Sequence, residues 1–273
     1  MASTITELAH FRIPLEEIIN ATNNFSEKNI VGRGGFGNVY RGNLKRSGKW
    51  LKFSARRLDR RYGQGDVEFM TEISMLSTLK HENIVSMIGF CDENGEKIIV
   101  NKSYKMGSLS AHLSKPTPTW IQRVDIALGI ARAIEYIHHK LGENYYVIHR
   151  NISSFTVLLD ENWIPKLSGF EFSIKHQVDR RNQVFHTQTI GTKGYIDQET
   201  YKSGGVTHKS DIYSLGVVLC EILCGTSVQD DTPLSFLNNR KMSLGEIIGK
   251  QEIFDLNYLP LDTSEYGTSR KLG

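Results

Sequence analysis

Residues 30–40 read Ile-Val-Gly-Arg-Gly-Gly-Phe-Gly-Asn-Val-Tyr, a pattern of a strand, a glycine turn and a second strand. Gly32, Gly34 and Gly37 have the spacing Gly-x-Gly-x-x-Gly, and glycines between strands let backbone N–H groups approach phosphate oxygens. A dinucleotide-binding fold uses the same spacing but needs a helix directly after the glycines. Here Val39 continues as a strand, which instead predicts a β-hairpin that covers phosphates.

The residues around this hairpin predict an antiparallel sheet with one helix. Residues 50–58 alternate in the manner of a third strand, and residues 84–90 and 97–100 indicate two further short strands. Residues 67–79 carry apolar side chains three or four positions apart, which indicates an amphipathic helix. A short leader helix is predicted within residues 14–25.

The second part of the chain predicts mostly helices. A long amphipathic helix is expected over 120–139, and a nearly all-apolar helix over 211–223 is typical of a buried central element. Cys220 and Cys224 lie on that second helix. We interpret them as small buried side chains, because no third ligand for a metal stands at suitable spacing. Beyond this helix the pattern weakens, with one more helix expected over 242–248.

Composition excludes several classes of protein. The chain has 273 residues, 39% hydrophobic and 23% charged, which are values of a globular protein and not of a disordered or fibrous one. A net charge of +3 does not demand a nucleic-acid partner. Three cysteines argue against a secreted disulfide framework, and no apolar run reaches the ~18 residues of a membrane span. We therefore expect a cytoplasmic protein with no direct membrane insertion.

Several short motifs follow one another in order along the chain. They are Ala-Thr-Asn-Asn-Phe (21–25), His-Glu-Asn-Ile-Val (81–85), Ile-Gly-Phe-Cys (88–91), His-Arg (149–150), Gly-Thr-x-Gly-Tyr (191–195) and Ser-Asp-Ile-Tyr-Ser-Leu-Gly (210–216). Together with the glycine hairpin they resemble a eukaryotic protein kinase, specifically the plant receptor-like kinases. Asp-Arg-Arg-Tyr-Gly-Gln-Gly at 59–65 is similar to the malectin-like receptor kinase type.

The resemblance implies an α+β, two-lobed protein-kinase-like fold with a nucleotide cleft between the lobes. The N-lobe is expected to be an antiparallel sheet plus one helix, and the C-lobe to be mostly helical and shortened at its end. The expected divisions are a leader with a short helix at 1–25, the N-lobe at 26–103, the C-lobe at 104–225 and an atypical C-terminal extension at 226–273.

The resemblance also implies a nucleotide site. Its positions in this sequence are Val31, Gly32, Gly34, Gly37, Val39, Ser54, Arg56, Glu72, Asn101, Ser103 and Leu158. Arg56 stands where the family has a phosphate-contacting lysine, and its planar guanidinium is not an equivalent contact. Glu72 matches the partner of that lysine, so an Arg56–Glu72 ion pair is expected. Asn101 would be a polar gatekeeper at the back of the adenine pocket.

The catalytic positions depart from the family's pattern. Asn151 replaces the aspartate that accepts the hydroxyl proton, and an amide cannot act as a carboxylate base. Ser153 replaces a lysine near the transferred phosphate. Thr156 and Gly169 replace the two metal ligands. With Arg56, these degenerate positions leave no catalytic residue intact and no expected metal site.

Glu171 leaves two interpretations open. Its carboxylate could donate a metal ligand, although it lies two residues beyond the family's metal-binding position; otherwise it is solvated or paired with an arginine. The resemblance therefore predicts a pseudokinase that is a signalling scaffold or an allosteric partner. The alternative is a weakly active or unorthodox Ser/Thr protein kinase with residual ATP binding. No cofactor is required, and any ATP binding is expected to be weak and independent of Mg²⁺.

The chain keeps the residues that hold the family's fold together. The apolar stack that joins the lobes is implied at Leu76, Met87, His149 and Phe170. Asp211 would accept backbone hydrogen bonds from the turn at His149 and Arg150, or would cap its own helix next to Ser210.

The activation segment of the resemblance carries three candidate phosphorylation sites, Thr187, Thr189 and Thr192. A phosphate there could pair with Arg180 and Arg181. The expected partner is a protein, an active receptor-like kinase, which would recruit this cytoplasmic chain to the plasma membrane.

Overall fold

The computed structural model describes residues 8–34, 36–46, 48–59, 65–142, 144–180 and 183–229. Five strands form the sheet of the N-terminal lobe: β1 Ile30–Gly34, β2 Gly37–Arg46, β3 Lys49–Arg57, β4 Met87–Glu93 and β5 Glu96–Lys102. They are all antiparallel, in the order β1-β2-β3-β5-β4. The predicted glycine hairpin is confirmed, with Gly34 opposite Gly37.

Strand β4 begins later than the sequence pattern predicted. Residues 84 and 85 were expected in the strand, but both pair with the C-terminal lobe. Ile84 forms an isolated bridge with Leu167, and the Val85 N–H donates to the Leu167 carbonyl at 3.0 Å. The backbone here joins the two lobes, so only the residues from Met87 onward are free to join the sheet.

The predicted amphipathic helix of the N-terminal lobe is α2, Asp66–Thr78, where α1 is the leader helix Leu15–Ala21. Helix α2 buries Phe69, Ile73 and Leu76. Phe69 meets Phe90 of β4 edge to face, with ring centroids 6.1 Å apart. The helix begins where the Glu68 carboxylate accepts a hydrogen bond from the Gly65 N–H, which is an N-terminal capping contact.

The leader covers the face of the sheet that points away from α2. Ile13 and Ile18 are buried against Phe53 of β3 in a second apolar cluster, separate from the one around α2. The Ile13 N–H donates to the Phe90 carbonyl at 2.9 Å. Gly89 makes this approach feasible, since a Cβ atom there would lie 2.2 Å from a leader carbonyl. The leader is therefore packed as part of the N-terminal lobe.

The C-terminal lobe is built on helices, as predicted. These are α3 Trp120–His139, α4 Gln198–Ser203 and α5 His208–Cys224. Short strands join them: β6 Gly107–Ser108, β7 Tyr145–Ile148, β8 Val157–Leu159, β9 Pro165–Leu167, β10 Ile174–Gln177, β11 Phe185–His186 and β12 Gly205–Val206. The helix predicted at 242–248 and most of the extension from residue 226 lie outside the described residues.

Helix α5 runs through the centre of this lobe. Val217 and Val218 are fully buried, and Cys220 is buried with its thiol free. Gly225 ends the helix in the left-handed conformation. Among the described helices, none is both long enough and apolar enough to cross a membrane.

We predict that Gly89→Ala loosens the leader from the sheet. The new Cβ would lie 2.2 Å from the Phe11 carbonyl oxygen, so backbone must move, at a cost of about 1–3 kcal/mol in the free energy of unfolding. Urea denaturation measures this change. The control is Gly216→Ala, which adds a methyl group with no heavy atom within 4 Å inside α5 and should leave stability unchanged or raise it. Equal stability of the two variants would contradict the packing of the leader.

Candidate functional site

Asp211 of helix α5 holds the loop that follows β7. Its Oδ2 accepts from the His149 N–H and its Oδ1 from the Arg150 N–H, both at 2.8 Å, and His138 Nε2 lies 2.8 Å from Oδ2. Burial alone would raise the pKa of Asp211, but the contact with His138 and the neighbouring charges and N–H groups hold it below its usual value. The helix is capped by Thr207, so the alternative that Asp211 is itself the cap is wrong.

His149 connects this loop to the apolar stack between the lobes. Its Nδ1 accepts from the Asn151 N–H at 3.2 Å, so Nε2 donates to the Ser168 carbonyl at 3.0 Å and the ring is neutral. Burial lowers the pKa of His149, which favours the same neutral form. The ring packs on Phe170 with centroids 4.5 Å apart, and Phe170 shares one buried cluster with Leu76 and Met87.

Arg56 of β3 lies between two carboxylates. Its guanidinium pairs with Glu72 of α2, the partner expected from the sequence, and lies 3.6 Å from the Glu171 carboxylate. The Glu72 and Glu171 side chains are only 3% and 1% exposed. Charges buried to this degree need a partner, so the single guanidinium serves both acids and ties α2 to the C-terminal lobe.

The placement of Glu171 decides between its two interpretations. Gly169 turns in the left-handed conformation, with φ of +86°, and starts a short 3-10 helix over Phe170–Phe172. This turn buries Glu171, where its Oε1 accepts from the Asn151 amide at 3.1 Å. Glu171 is therefore paired with an arginine, and the expectation that it is solvated is wrong.

The side chains of Asn151, Ser153 and Thr156 form hydrogen bonds within their own loop and with neighbouring residues. The Asn151 Oδ1 accepts from the Thr192 hydroxyl at 2.9 Å, while the other end of the amide donates to Glu171. The Thr156 hydroxyl donates to the Asn151 carbonyl at 2.9 Å and accepts from the Ser153 N–H at 3.0 Å. The side chains at these positions are thus bonded to other residues of the chain.

The residues of this site do not fit a magnesium ion. Mg²⁺ prefers carboxylate oxygens in octahedral geometry, and Gly169 offers no side chain, while Thr156 has its hydroxyl engaged in the loop. The one carboxylate close by, on Glu171, is engaged by Asn151 and Arg56. Within the described parts of the chain, no group of three or more His, Cys, Asp or Glu side chains could hold a metal ion.

Phe36, at the tip of the glycine hairpin, packs against Phe172 and Arg56. Its ring centroid lies 5.4 Å from that of Phe172 and 5.8 Å from the Arg56 guanidinium carbon. An aromatic face over a guanidinium is a favourable contact. Sequence reasoning missed this contact, although an aromatic residue between the second and third glycines of the hairpin was a visible signal.

The residues implied for nucleotide binding differ in their exposure. Of the positions implied for nucleotide binding, Gly37 is buried, Val31 and Gly34 are exposed, and the half-buried ones are Gly32, Val39, Ser54, Asn101, Ser103 and Leu158. Asn101 lies opposite Ser54 in the sheet. Its Oδ1 is buried and has no hydrogen-bond partner among the described residues, so it remains an acceptor for the N–H of a ligand.

The three candidate phosphorylation sites have different surroundings. Thr187 lies nearest to a cation, with its hydroxyl 3.4 Å from Arg150 Nη2. Thr189 donates to the Thr200 carbonyl at 3.4 Å, and Thr192 is bonded to Asn151. The side chains of Arg180 and Arg181, expected to receive a phosphate, lie outside the described residues. Sequence reasoning missed the role of Arg150 at Thr187.

The glycine hairpin, the Arg56–Glu72 pair and the loop braced by Asp211 together define a protein kinase domain. The chain belongs to this family, because the family model described as protein tyrosine and serine/threonine kinase matches residues 25–243.

Three curated relatives from Arabidopsis thaliana are named receptor-like protein kinases. The chain is 41% identical to Receptor-like protein kinase HERK 1 over 233 residues, which are 84% of this chain and 27% of that protein. It is 39% identical to ANXUR2 over 238 residues, or 86% and 27%, and 41% identical to THESEUS 1 over 212 residues, or 77% and 24%. The chain thus spans about a quarter of the length of these relatives.

We predict that Asp211→Asn loosens the catalytic-type loop. The amide cannot accept from both backbone N–H groups and remain paired with His138, so unfolding should become easier by about 2–3 kcal/mol at neutral pH. Because the pKa of Asp211 is lowered in the folded chain, its contribution is present above the ordinary aspartate pKa of about 4 and is lost as the pH falls through the lower folded value.

Urea unfolding at a series of pH values measures this difference, which should shrink toward acid pH. Glu135→Gln is the control, since Glu135 forms an exposed pair with Lys140 and should give no measurable change. A difference between Asp211→Asn and the parent that stays constant down to the lowest pH would contradict the role of the charge.

Proposed function

We propose that this domain is a pseudokinase, a signalling scaffold or allosteric partner of active receptor-like kinases. One observation carries the proposal. The buried Glu171 carboxylate accepts a hydrogen bond from the Asn151 amide and forms an ion pair with Arg56, so the side chains at the positions for the substrate hydroxyl and for phosphate are both held by Glu171. The similarity to relatives named receptor-like protein kinases supports the choice of partner.

The side chain at the position of the catalytic base is an amide, that of Asn151. Phosphoryl transfer needs a group that positions the attacking hydroxyl and accepts its proton. Asn151 holds this position with an amide whose nitrogen donates to Glu171 and whose oxygen accepts from Thr192. Neither atom is available as a base, because an amide oxygen does not take up a proton near neutral pH.

The charges around Arg56 disfavour the binding of a polyphosphate. Arg56, Glu72 and Glu171 together carry a net negative charge, and no metal ligand set stands beside them. A polyphosphate would bring several more negative charges to this cluster, and metal ions normally neutralise these in kinases. This supports weak nucleotide binding that does not depend on Mg²⁺, with the Asn101 oxygen as a contact for the adenine end.

A partner protein would meet both lobes in one arrangement. The Arg56–Glu171 ion pair joins the N-terminal lobe to the C-terminal lobe. Phe170 of the C-terminal lobe shares one buried cluster with Leu76 and Met87 of the N-terminal lobe. Because the two lobes keep one arrangement, the domain presents a fixed surface that another protein can bind, although the domain itself transfers no phosphate. Phosphorylation by that partner would place a phosphate beside Arg150, since the Thr187 hydroxyl already lies 3.4 Å away. In this proposal the chain works in the cytoplasm and reaches the plasma membrane through its partner.

We predict that purified protein transfers no phosphate to a peptide or to itself. The matched variant restores the family's residues at five positions: Asn151→Asp, Ser153→Lys, Thr156→Asn, Gly169→Asp and Glu171→Gly. Aspartate tolerates the φ of +86° at position 169, and the Thr156 replacement removes a methyl carbon that would lie 2.9 Å from the new Cβ.

Transfer of labelled phosphate from Mg-ATP is the measurement, and we expect it only in the restored variant. Activity in the unmodified protein that Asn151→Ala abolishes would overturn the pseudokinase proposal. That result would establish the alternative, a weakly active Ser/Thr protein kinase.

We also predict that Glu171→Gln strengthens nucleotide binding. The amide keeps an acceptor for Asn151 but removes a charge from beside Arg56, and one charge repulsion is worth at least about 1 kcal/mol, or about fivefold in affinity. Thermal shift with ATP in the presence of a chelator measures the change.

The control is Glu161→Gln, which removes an exposed acid from the turn between β8 and β9 and should leave nucleotide binding unchanged. Tight binding by the unmodified protein that requires Mg²⁺ would contradict the role given to Glu171.

A further inference from the structure

The positive charge of this chain is concentrated in one part of the N-terminal lobe. Residues 28–58 contain nine lysines and arginines and no aspartate or glutamate, whereas the whole chain has a net charge of only +3. The remaining residues are therefore net negative taken together. Such segregation creates a local field that the overall charge does not reveal.

Three of the lysines of this segment, Lys45, Lys49 and Lys52, are left with unbalanced charge close together in the sequence. Arg46 is paired with Glu17, Arg57 with Glu96, and Arg56 with the two acids of the cleft. In contrast, the ion pairs found among the described residues include none of Lys45, Lys49 and Lys52.

These lysines lie on a two-stranded ribbon that projects from the sheet. Strand β1 pairs with β2 only as far as Tyr40, and β5 pairs with β3 only as far as Phe53. In the described chain, residues 41–46 and 49–52 therefore form a hairpin with neighbouring strands on neither edge. We call this hairpin the basic ribbon.

One face of the basic ribbon combines cations with an exposed indole. Trp50 lies directly opposite Lys45, and Lys52 opposite Asn43, so these side chains share a face. Trp50 is 71% exposed, the highest value among the exposed large hydrophobic residues. The opposite face carries Leu44, which is buried against the leader.

We propose that the basic ribbon docks on the surface of an anionic phospholipid bilayer. Tryptophan prefers the headgroup level of a membrane, and lysines near such a surface are attracted to anionic lipids. The basic ribbon presents both features on one face, since Trp50 lies beside Lys45 and Lys52 there. The ribbon contacts headgroups only, so no part of the chain crosses the bilayer.

The proposed membrane contact does not depend on the proposed function. It uses no residue of the cleft, and it would hold equally for an active or an inactive kinase domain. It adds a direct contact with the membrane to the recruitment through a partner.

Sedimentation with vesicles tests the proposal. The full chain is mixed with vesicles of phosphatidylcholine alone or doped with phosphatidylserine, and we expect binding only to the doped vesicles, weaker at high salt. Each lysine near an anionic surface contributes about fivefold, so the variant Lys45→Gln/Lys49→Gln/Lys52→Gln should lose on the order of 100-fold in affinity.

The matched control is Lys115→Gln/Lys202→Gln/Lys209→Gln, which removes the same charge from exposed positions of the C-terminal lobe. It should bind like the parent. Equal losses in both triple variants would show attraction by net charge alone and would overturn the proposal. No preference for doped vesicles, or competition by a soluble acidic peptide that displaces the chain completely, would overturn it as well.

Tryptophan fluorescence tests whether Trp50 contacts the membrane. We expect the emission of the parent to shift to the blue on doped vesicles, since Trp50 enters the headgroup region. The shift should disappear in Trp50→Phe and persist in Trp120→Phe, which removes another exposed tryptophan from the C-terminal lobe. A shift that persists in Trp50→Phe would exclude the basic ribbon as the contact.

Discussion

The guanidinium of Arg56 forms the ion pairs that connect the two lobes. It meets Glu72 from helix α2 on one side and Glu171 from the turn after Gly169 on the other. Both carboxylates are almost fully buried, and a buried charge left without its partner costs several kcal/mol. The Arg56 guanidinium therefore links α2 to the turn at Phe170, and the ring of Phe36 packs over it.

This arrangement accommodates the side chains that depart from the family's catalytic pattern. In the family, charged groups at the cleft meet metal and phosphate. Here they meet each other: Asn151 bridges Glu171 and Thr192, and Thr156 is bonded within its own loop. Hydrogen bonds within the chain thus engage the side chains of this loop, and the pairing of Glu171 with Arg56 balances their buried charges.

Much of the fold and part of the candidate site could be predicted from the sequence. Periodic apolar residues located α2, α3 and α5, and ordered motifs identified Glu72 as the partner of Arg56. The start of β4 was missed because Ile84 pairs with a strand of the other lobe. The burial of Glu171 and the contact of Arg150 with Thr187 were missed because each joins residues that no local pattern relates.

By itself, the sequence determined the element types, the family resemblance and which catalytic groups are missing. Helix and strand periods, and the chemical identity of Asn151 or Gly169, are local properties that need no neighbour. Only the tertiary structure decided which acid meets which arginine, and it also brought Lys45, Trp50 and Lys52 onto one face of a projecting hairpin. The physical reason is that the burial, the pairing and the exposure of a side chain depend on its neighbours in the folded protein. Those neighbours are often distant in sequence, and several of them can compete for the same partner.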